Sequence, residues 1–224
     1  MRLNKQKGNM YNFITHTGNT IKGKCPHGCT YCYVSRFGPL GTPRLDLSEF
    51  RTSLPEGLFI FWGSSFDCFA YSVATSWITR SLEYLYHFNN RYFFQSKNPD
   101  RFFEYFDYFH EMKDPILCTT IESNREYPNI YKNSPSIETR ASAMHELSTK
   151  FETMVTIEPI LDFDLPSLVD LIAFSGCSQV NIGADSKRCS LPEPEESKIR
   201  ALIYELKSFT NVHIKPNLKR LGGF

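Results

Sequence analysis

The sequence predicts an α/β fold built on a parallel sheet. Along its 224 positions, short runs of apolar, β-branched and aromatic residues each lead into a small or polar residue and then into a stretch of helical period. Strands alternating with helices at this spacing imply βα units. The ends of those runs carry Ser64, Lys97, Glu122, Glu158 and Asp185. Two architectures satisfy the alternation. A doubly wound open sheet binds its ligand at a switch point, whereas a barrel or partial barrel gathers every strand end at one mouth. Polar strand ends are ordinary in any fold, yet five chemically capable groups at five ends favour a shared mouth.

The elements follow in order. Residues 11–17 form the first expected strand, which leads through Gly18 and Gly23 into a cysteine-rich loop. Pro39, Gly41 and Pro43 come next, then a short helix over 45–54. A second strand, 58–62, ends at Gly63-Ser64-Ser65. The helix over 73–88 places Ala74, Ile78, Leu82, Leu85 and Phe88 at three- and four-residue steps. The third strand, 91–95, ends at Ser96-Lys97, and Pro99 opens a Phe- and Tyr-rich helix over 100–110. Strand four, 115–121, ends at Glu122-Ser123-Asn124. The helix over 136–150 shows Ile137, Ala141, Met144 and Leu147 on one face. Strand five, 153–157, ends at Glu158-Pro159, and a helix over 166–174 stops at Gly176 as its cap. Strand six, 179–182, ends at Gly183-Ala184-Asp185. The last helix, 194–208, carries Ile199, Leu202, Ile203 and Leu206, and 212–215 closes the chain as a seventh strand.

Composition narrows the class. The 25 basic and 24 acidic residues leave a net charge of +1, which gives no global attraction for nucleic acid or an anionic membrane, although a local patch is compatible with it. The 19 Phe and 12 Tyr point to an aromatic-rich core and rim. No apolar run reaches membrane-spanning length, and MRLNKQKGNM lacks the apolar segment of a signal peptide. Seven cysteines without such a leader fit a reducing cytosol. The expectation is one soluble, cytoplasmic domain over residues 1–224.

The most specific stretch is Cys25-Pro26-His27-Gly28-Cys29-Thr30-Tyr31-Cys32-Tyr33. Three cysteines spaced CxxxCxxC are too close, and too odd in number, for a disulfide scaffold, and packed thiolates of this kind are normally held by a metal. Structural zinc wants four protein ligands, and an electron-carrying iron–sulfur cube wants four cysteines. Three cysteines on a cube leave one iron open. The competing readings are a zinc knuckle completed by His16 or His27, or three unrelated core cysteines.

With Tyr31 just before its last cysteine, this loop resembles that of the radical S-adenosylmethionine (SAM) enzymes. The order of the runs 61–69 (FWGSSFDCF), 93–102 (FFQSKNPDRF), 121–124 (IESN), 156–164 (TIEPILDFD), 180–186 (VNIGADS) and 213–223 (HIKPNLKRLGG) extends the resemblance over nearly the whole chain. It is similar to a group of uncharacterised radical-SAM-like proteins of phages and bacteria that share the cysteine loop with the spore photoproduct lyases. The resemblance implies a partial (βα)6-type TIM barrel with parallel strands. It also implies a [4Fe-4S] cluster on Cys25, Cys29 and Cys32, whose open iron is chelated by the amino and carboxylate groups of S-adenosyl-L-methionine. An electron entering the sulfonium would release a 5′-deoxyadenosyl radical, and an external donor of flavodoxin or ferredoxin type would supply that electron.

Residue by residue, Gly63 and Ser64 take the place of the family's Gly-Gly-Glu motif, which receives the SAM amino group; this chain has one glycine and no glutamate there. A glycine at a strand end lets a ligand approach the backbone. The resemblance assigns Lys97 to the SAM carboxylate, with a solvated loop lysine as the alternative. It assigns Glu122 and Ser123 to the ribose, and Gly183 to the border of the adenine. Tyr31 would present backbone or ring to the same base, or simply pack the loop. Glu158, at a partly buried strand end, needs a partner. It orients SAM or substrate, or pairs with Arg140 or Lys215, and the pairing is favoured. Cys68 would return a hydrogen atom to a substrate radical, against a plain packing role. Cys118 and Cys177 read as core and Cys189 as a loop residue without signal, while Lys215, Lys219 and Arg220 form a small basic cluster. The rival functions are a zinc-stabilised, non-catalytic binding module and an iron–sulfur electron carrier. For the substrate, the lyase kinship points to nucleic acid or a nucleotide, with a peptide or small metabolite as the alternative.

Overall fold

A computed structural model describes residues 1–224. Strands β1 (Leu3–Lys5), β2 (His16–Gly18), β5 (Phe59–Trp62), β6 (Arg91–Gln95), β7 (Lys113–Thr120), β8 (Glu152–Ile157), β9 (Gln179–Ile182) and β10 (Asn211–Ile214) form one sheet in that spatial order. From β2 to β10 every neighbouring pair is parallel, and only β1 runs antiparallel, against β2. A small antiparallel pair, β3 (Ile21–Lys22) with β4 (Arg44–Leu45), flanks the cysteine loop. The helices are α1 (Thr75–Tyr86), α2 (Phe106–Glu111), α3 (Ile137–Ser148), α4 (Leu165–Ser175) and α5 (Glu196–Leu206). This is the mostly parallel, partial-barrel α/β architecture that the sequence predicts. No helix is long and apolar enough to cross a membrane.

Side-chain alternation along the strands separates two layers. Ile60, Trp62, Tyr92 and Phe94 point outward onto α1 and α2, where Phe69, Phe102 and Phe109 join them in edge-on and tilted aromatic contacts. Val155, Ile157, Val180 and Ile182 pack outward with residues of α3, α4 and α5. The inward set, Phe61, Phe93, Ile116, Cys118 and Met154, surrounds Tyr11 and Ile14. One step further along the same strands the inward residues turn polar: Gln95, Thr120, Thr156 and Glu158. The interior is thus packed below and chemically equipped above, at the C-terminal ends of the strands.

Local chemistry explains the boundaries. The Ser136 hydroxyl caps α3 by accepting from the Thr139 N–H at 3.2 Å. Pro166 sits in the first turn of α4, and Gly176 ends it in the left-handed region at φ 67°. The structure also corrects the reading in places. The run at 11–17 is a strand only from His16, because Tyr11–Ile14 turn inward to plug the barrel rather than extend it. The helix expected over 45–54 is a short 3-10 turn, Leu47–Arg51, whose Leu47 stays 53% exposed and so lacks an apolar face to dock. The helix expected over 100–110 divides into a 3-10 stretch, Pro99–Tyr105, and α2.

Candidate active site

The cysteine loop lies between β3 and the 3-10 turn Tyr33–Phe37, on the side of the sheet where β2 ends. Gly28, at φ 63°, makes the bend between Cys25 and Cys29 that other residues resist. Cys25, Cys29 and Cys32, all half-buried free thiols, line one cavity of about 470 Å³. The same cavity is lined by Tyr31, Gly63, Ser64, Asp67, Gln95, Lys97, Thr156, Glu158 and Lys215. Residues at the ends of β5, β6, β7, β8, β9 and β10 and from the N-terminal segment therefore face one space.

Burial pushes the Cys25 thiol up to about 12, with the neighbouring Asp67 charge adding to it. Burial also raises the Cys29 thiol, against the opposing pull of Lys97. A bound cation reverses such shifts, since a coordinating thiol is deprotonated outright. No three His, Cys, Asp or Glu side chains converge on a point that would hold a single metal ion. The zinc alternative also lacks its fourth ligand. The His27 ring nitrogens are both engaged, Nε2 with Asp67 Oδ2 at 2.8 Å and Nδ1 with the Asn133 carbonyl at 3.0 Å. His16 begins β2, at the opposite end of that strand from the cysteine loop, with Nδ1 on the Thr15 hydroxyl. Three cysteine thiols on one cavity wall, with no histidine free to join them, are the donor set that a cubic cluster with one open iron calls for.

Lys97 is not a solvated loop lysine. Its ammonium pairs with Glu122 at 2.5 Å, lies 5.2 Å over the Tyr31 ring, and its side chain is 11% exposed. An ammonium has three donors, so this single strong pairing leaves capacity toward the cavity. Glu122 also holds Arg140 at 2.9 Å and accepts from the Tyr31 hydroxyl at 2.5 Å. Burial alone would raise its carboxyl, but the charges of Lys97 and Arg140 prevail and hold it at about 2. Glu158 is met by Lys215 and Asn9 at 2.6 Å and by Asn217 at 2.7 Å. The Lys215 ammonium lies 4.3 Å over the Tyr11 ring, whose hydroxyl donates to Gln95 at 2.9 Å. Glu158 thus has the Lys215 partner that its position demanded, while Arg140 belongs to Glu122.

Four expected site residues lie off the cavity wall. Glu122 is fully buried behind Lys97 and Tyr31, its oxygens spent on them and on Arg140. The Ser123 hydroxyl turns away to the Asp162 carbonyl at 2.6 Å. A side chain on Gly183 would strike the Glu158 carboxyl at 2.7 Å, so that glycine makes room for the chain's own acid rather than for a ligand. Cys68 is 1% exposed, with its thiol directed at the Phe66 carbonyl and burial raising its pKa, which leaves it packed behind Gly63. The C-terminal basic cluster also disperses: Lys215 is buried against Glu158, Arg220 pairs with Glu193, and Lys219 stays exposed without an ion pair.

Several cavity residues escaped the sequence reading. Asp67 accepts from His27, from the Ser96 hydroxyl and Lys97 N–H at 2.8 Å, and from the Phe69 N–H at 3.0 Å. Burial opposes its ionisation, but His27 and these donors hold its carboxyl below the usual range. A lone acid inside the aromatic run FWGSSFDCF was the available signal. Asn9, Tyr11 and Gln95 carried none, since their meeting depends on the inward turn of the N-terminal segment.

A partial parallel barrel with CxxxCxxC after its first parallel strand, facing a cavity at the strand ends, is a radical-SAM-like fold. Spore photoproduct lyase has this fold. A cysteine-to-serine variant of that enzyme superposes with a TM-score of 0.67 at 13% identity, over 95% of this chain and 79% of that one. A tyrosine-to-phenylalanine variant gives 0.66 at 12%, over 93% and 78%. A double variant holding AdoMet and a dinucleoside spore photoproduct gives 0.59 at 13%, over 91% of this chain and 64% of that one. No family model matches the sequence, and no curated protein matches it.

Proposed function

We propose that the chain is a radical SAM enzyme, with a [4Fe-4S] cluster on Cys25, Cys29 and Cys32 and S-adenosyl-L-methionine in the adjoining cavity. The observation that carries this reading is that the three cysteines share one cavity with Gly63, Ser64 and Lys97 at the strand ends. When bound, such a cluster would supply the single electron that splits the S–C5′ bond of SAM into methionine and a 5′-deoxyadenosyl radical, the species that would take a hydrogen atom from the substrate. An external protein of flavodoxin or ferredoxin type is the proposed source of that electron.

The chain's own residues bind and orient. Lys97, fixed by Glu122, directs its remaining donors at the SAM carboxylate. Ser64 offers oxygen acceptors for the amino group in place of the missing glutamate. Tyr31 spends its hydroxyl on Glu122 and presents its ring. For the substrate we propose nucleic acid or a nucleotide. The supporting feature is the rim, where Tyr33 and Phe37 are 44% and 73% exposed beside Arg36, Lys187 and Arg188. Base stacking on aromatics next to positive charge is how single strands are held.

The test is anaerobic reconstitution. Wild type should take up about four irons and become brown. Cys25→Ala, Cys29→Ala and Cys32→Ala should each abolish the cluster, while Cys118→Ala and Cys177→Ala keep it. Reduced, loaded protein should release 5′-deoxyadenosine from SAM. Stoichiometric zinc in anaerobically prepared protein, with no iron taken up, overturns the reading.

A further inference from the structure

We propose that His27 and Asp67 are positioning residues that hold the cysteine loop in its ligand-binding shape before any cluster arrives; its functional meaning rests on the cluster reading above. His27 lies between the first two cysteines and is 3% exposed. It ties the loop in two directions. Nε2 meets Asp67, in the segment after β5, and Nδ1 meets the Asn133 carbonyl, in the segment before α3; both partners accept, so the ring makes the two ties together with a proton on each nitrogen. Asn133 answers both ways: its amide N–H donates to the His27 carbonyl at 3.3 Å, and its side chain donates to the Pro26 carbonyl at 2.9 Å. The Thr30 N–H adds a bond to the Ile130 carbonyl at 2.9 Å.

Asp67 carries the tie onward. Its carboxylate also accepts the Lys97 backbone N–H and the Ser96 hydroxyl, so one group joins the cysteine loop to the end of β6. The position of the three thiols is thereby coupled to that of Lys97, the proposed partner of the SAM carboxylate. Inside the loop itself, Cys32 N–H to the Cys29 carbonyl at 3.2 Å is the main backbone tie. A nine-residue loop with so little internal bonding owes its shape to outside anchors, and ordering it on binding would cost affinity. Groups that orient metal ligands typically change metal affinity by about 10- to 100-fold when removed.

Three variants test this. His27→Phe keeps a ring and loses both anchors, His27→Gln keeps a donor toward Asp67, and Asp67→Asn removes the charge. In the metal-free protein, hydrogen exchange at residues 24–33 should quicken about tenfold in His27→Phe and Asp67→Asn, with β7 unchanged and His27→Gln close to wild type. After anaerobic loading, a chelator should strip iron from the same two variants at least about tenfold faster, and the change that SAM causes in the spectrum of the reduced cluster should diminish. Loop exchange and iron loss matching wild type in both variants overturns the proposal. So does exchange in β7 that rises as much as in the loop, which would mark a general loss of fold. The expected exchange pattern in a wild-type protein that binds no iron would keep the clamp and sink the proposed function instead.

Discussion

At the residue scale, Glu122 shows how much a strand end conceals. Its position after β7 marked it for ligand contact, yet its carboxylate is the hub of a buried network with Lys97, Arg140 and Tyr31. Arg140 was expected, if anywhere, at Glu158, but α3 turns it inward, fully buried, onto Glu122 instead. Breaking a buried ion pair by removing one partner costs about 3–5 kcal/mol, because the other charge stays behind. Glu122→Ala should lose that amount in urea unfolding at pH 7. Its folded carboxyl sits at about 2 against an ordinary 4.5, so its stabilisation is complete above pH 4.5 and fades as pH falls through about 2. The difference between wild type and variant should therefore shrink across that acid window. A difference that stays constant down to pH 2 would contradict the network's charge state.

At the element scale, strand and helix identities were largely legible and the special turns were not. Strands β6 and β9 fall where their apolar runs lie, because each run ends abruptly at Ser96 or Gly183. The first run misled because apolar residues at 11–14 serve an interior plug, and hydrophobicity alone does not tell a plug from a strand. Gly63, at the end of β5, was read as an opening for a ligand. Its backbone does line the cavity, but at φ 85° its absent side chain would point at Cys68 Sγ, 2.9 Å away, and at the Phe66 carbonyl. Gly63→Ala should accordingly destabilise the fold by about 1–3 kcal/mol, from left-handed backbone and contact together. Gly57, at φ 75° with nothing nearby, isolates the backbone part, so Gly57→Ala should cost less, about 1 kcal/mol. Thermal unfolding of the two variants side by side decides it, and equal losses would assign the whole effect to the backbone.

At the scale of the whole molecule, the balance of charge hides an uneven distribution. The net charge is +1, yet residues 22–44 hold Lys22, Lys24, Arg36 and Arg44 with no Asp or Glu among them. Lys22 is neutralised by Asp46 and Glu49, which leaves the other three around the cysteine loop. The loop after β9 adds Lys187 and Arg188 and docks on the same face, where Lys187 donates to the Cys32 carbonyl and Arg36 to the Ser186 carbonyl. Total composition gave no support for a polyanion while leaving room for a local patch, and only the fold could show that these positions meet beside exposed Tyr33 and Phe37. A nucleic-acid substrate at this rim makes two separable demands. Each phosphate contact should contribute roughly 0.7 to the slope of log affinity against log salt for a single strand. Arg36→Ala with Arg188→Ala should thus lower the slope for a labelled oligonucleotide by up to about 1.4. Phe37→Ala should weaken binding by about 1–3 kcal/mol with the slope unchanged, since stacking releases no counterions. Anisotropy titrations over a range of salt separate the two effects. An oligonucleotide that binds equally to all three proteins, or to none, would remove the rim from the substrate path and leave a small metabolite or peptide as the occupant of the cavity.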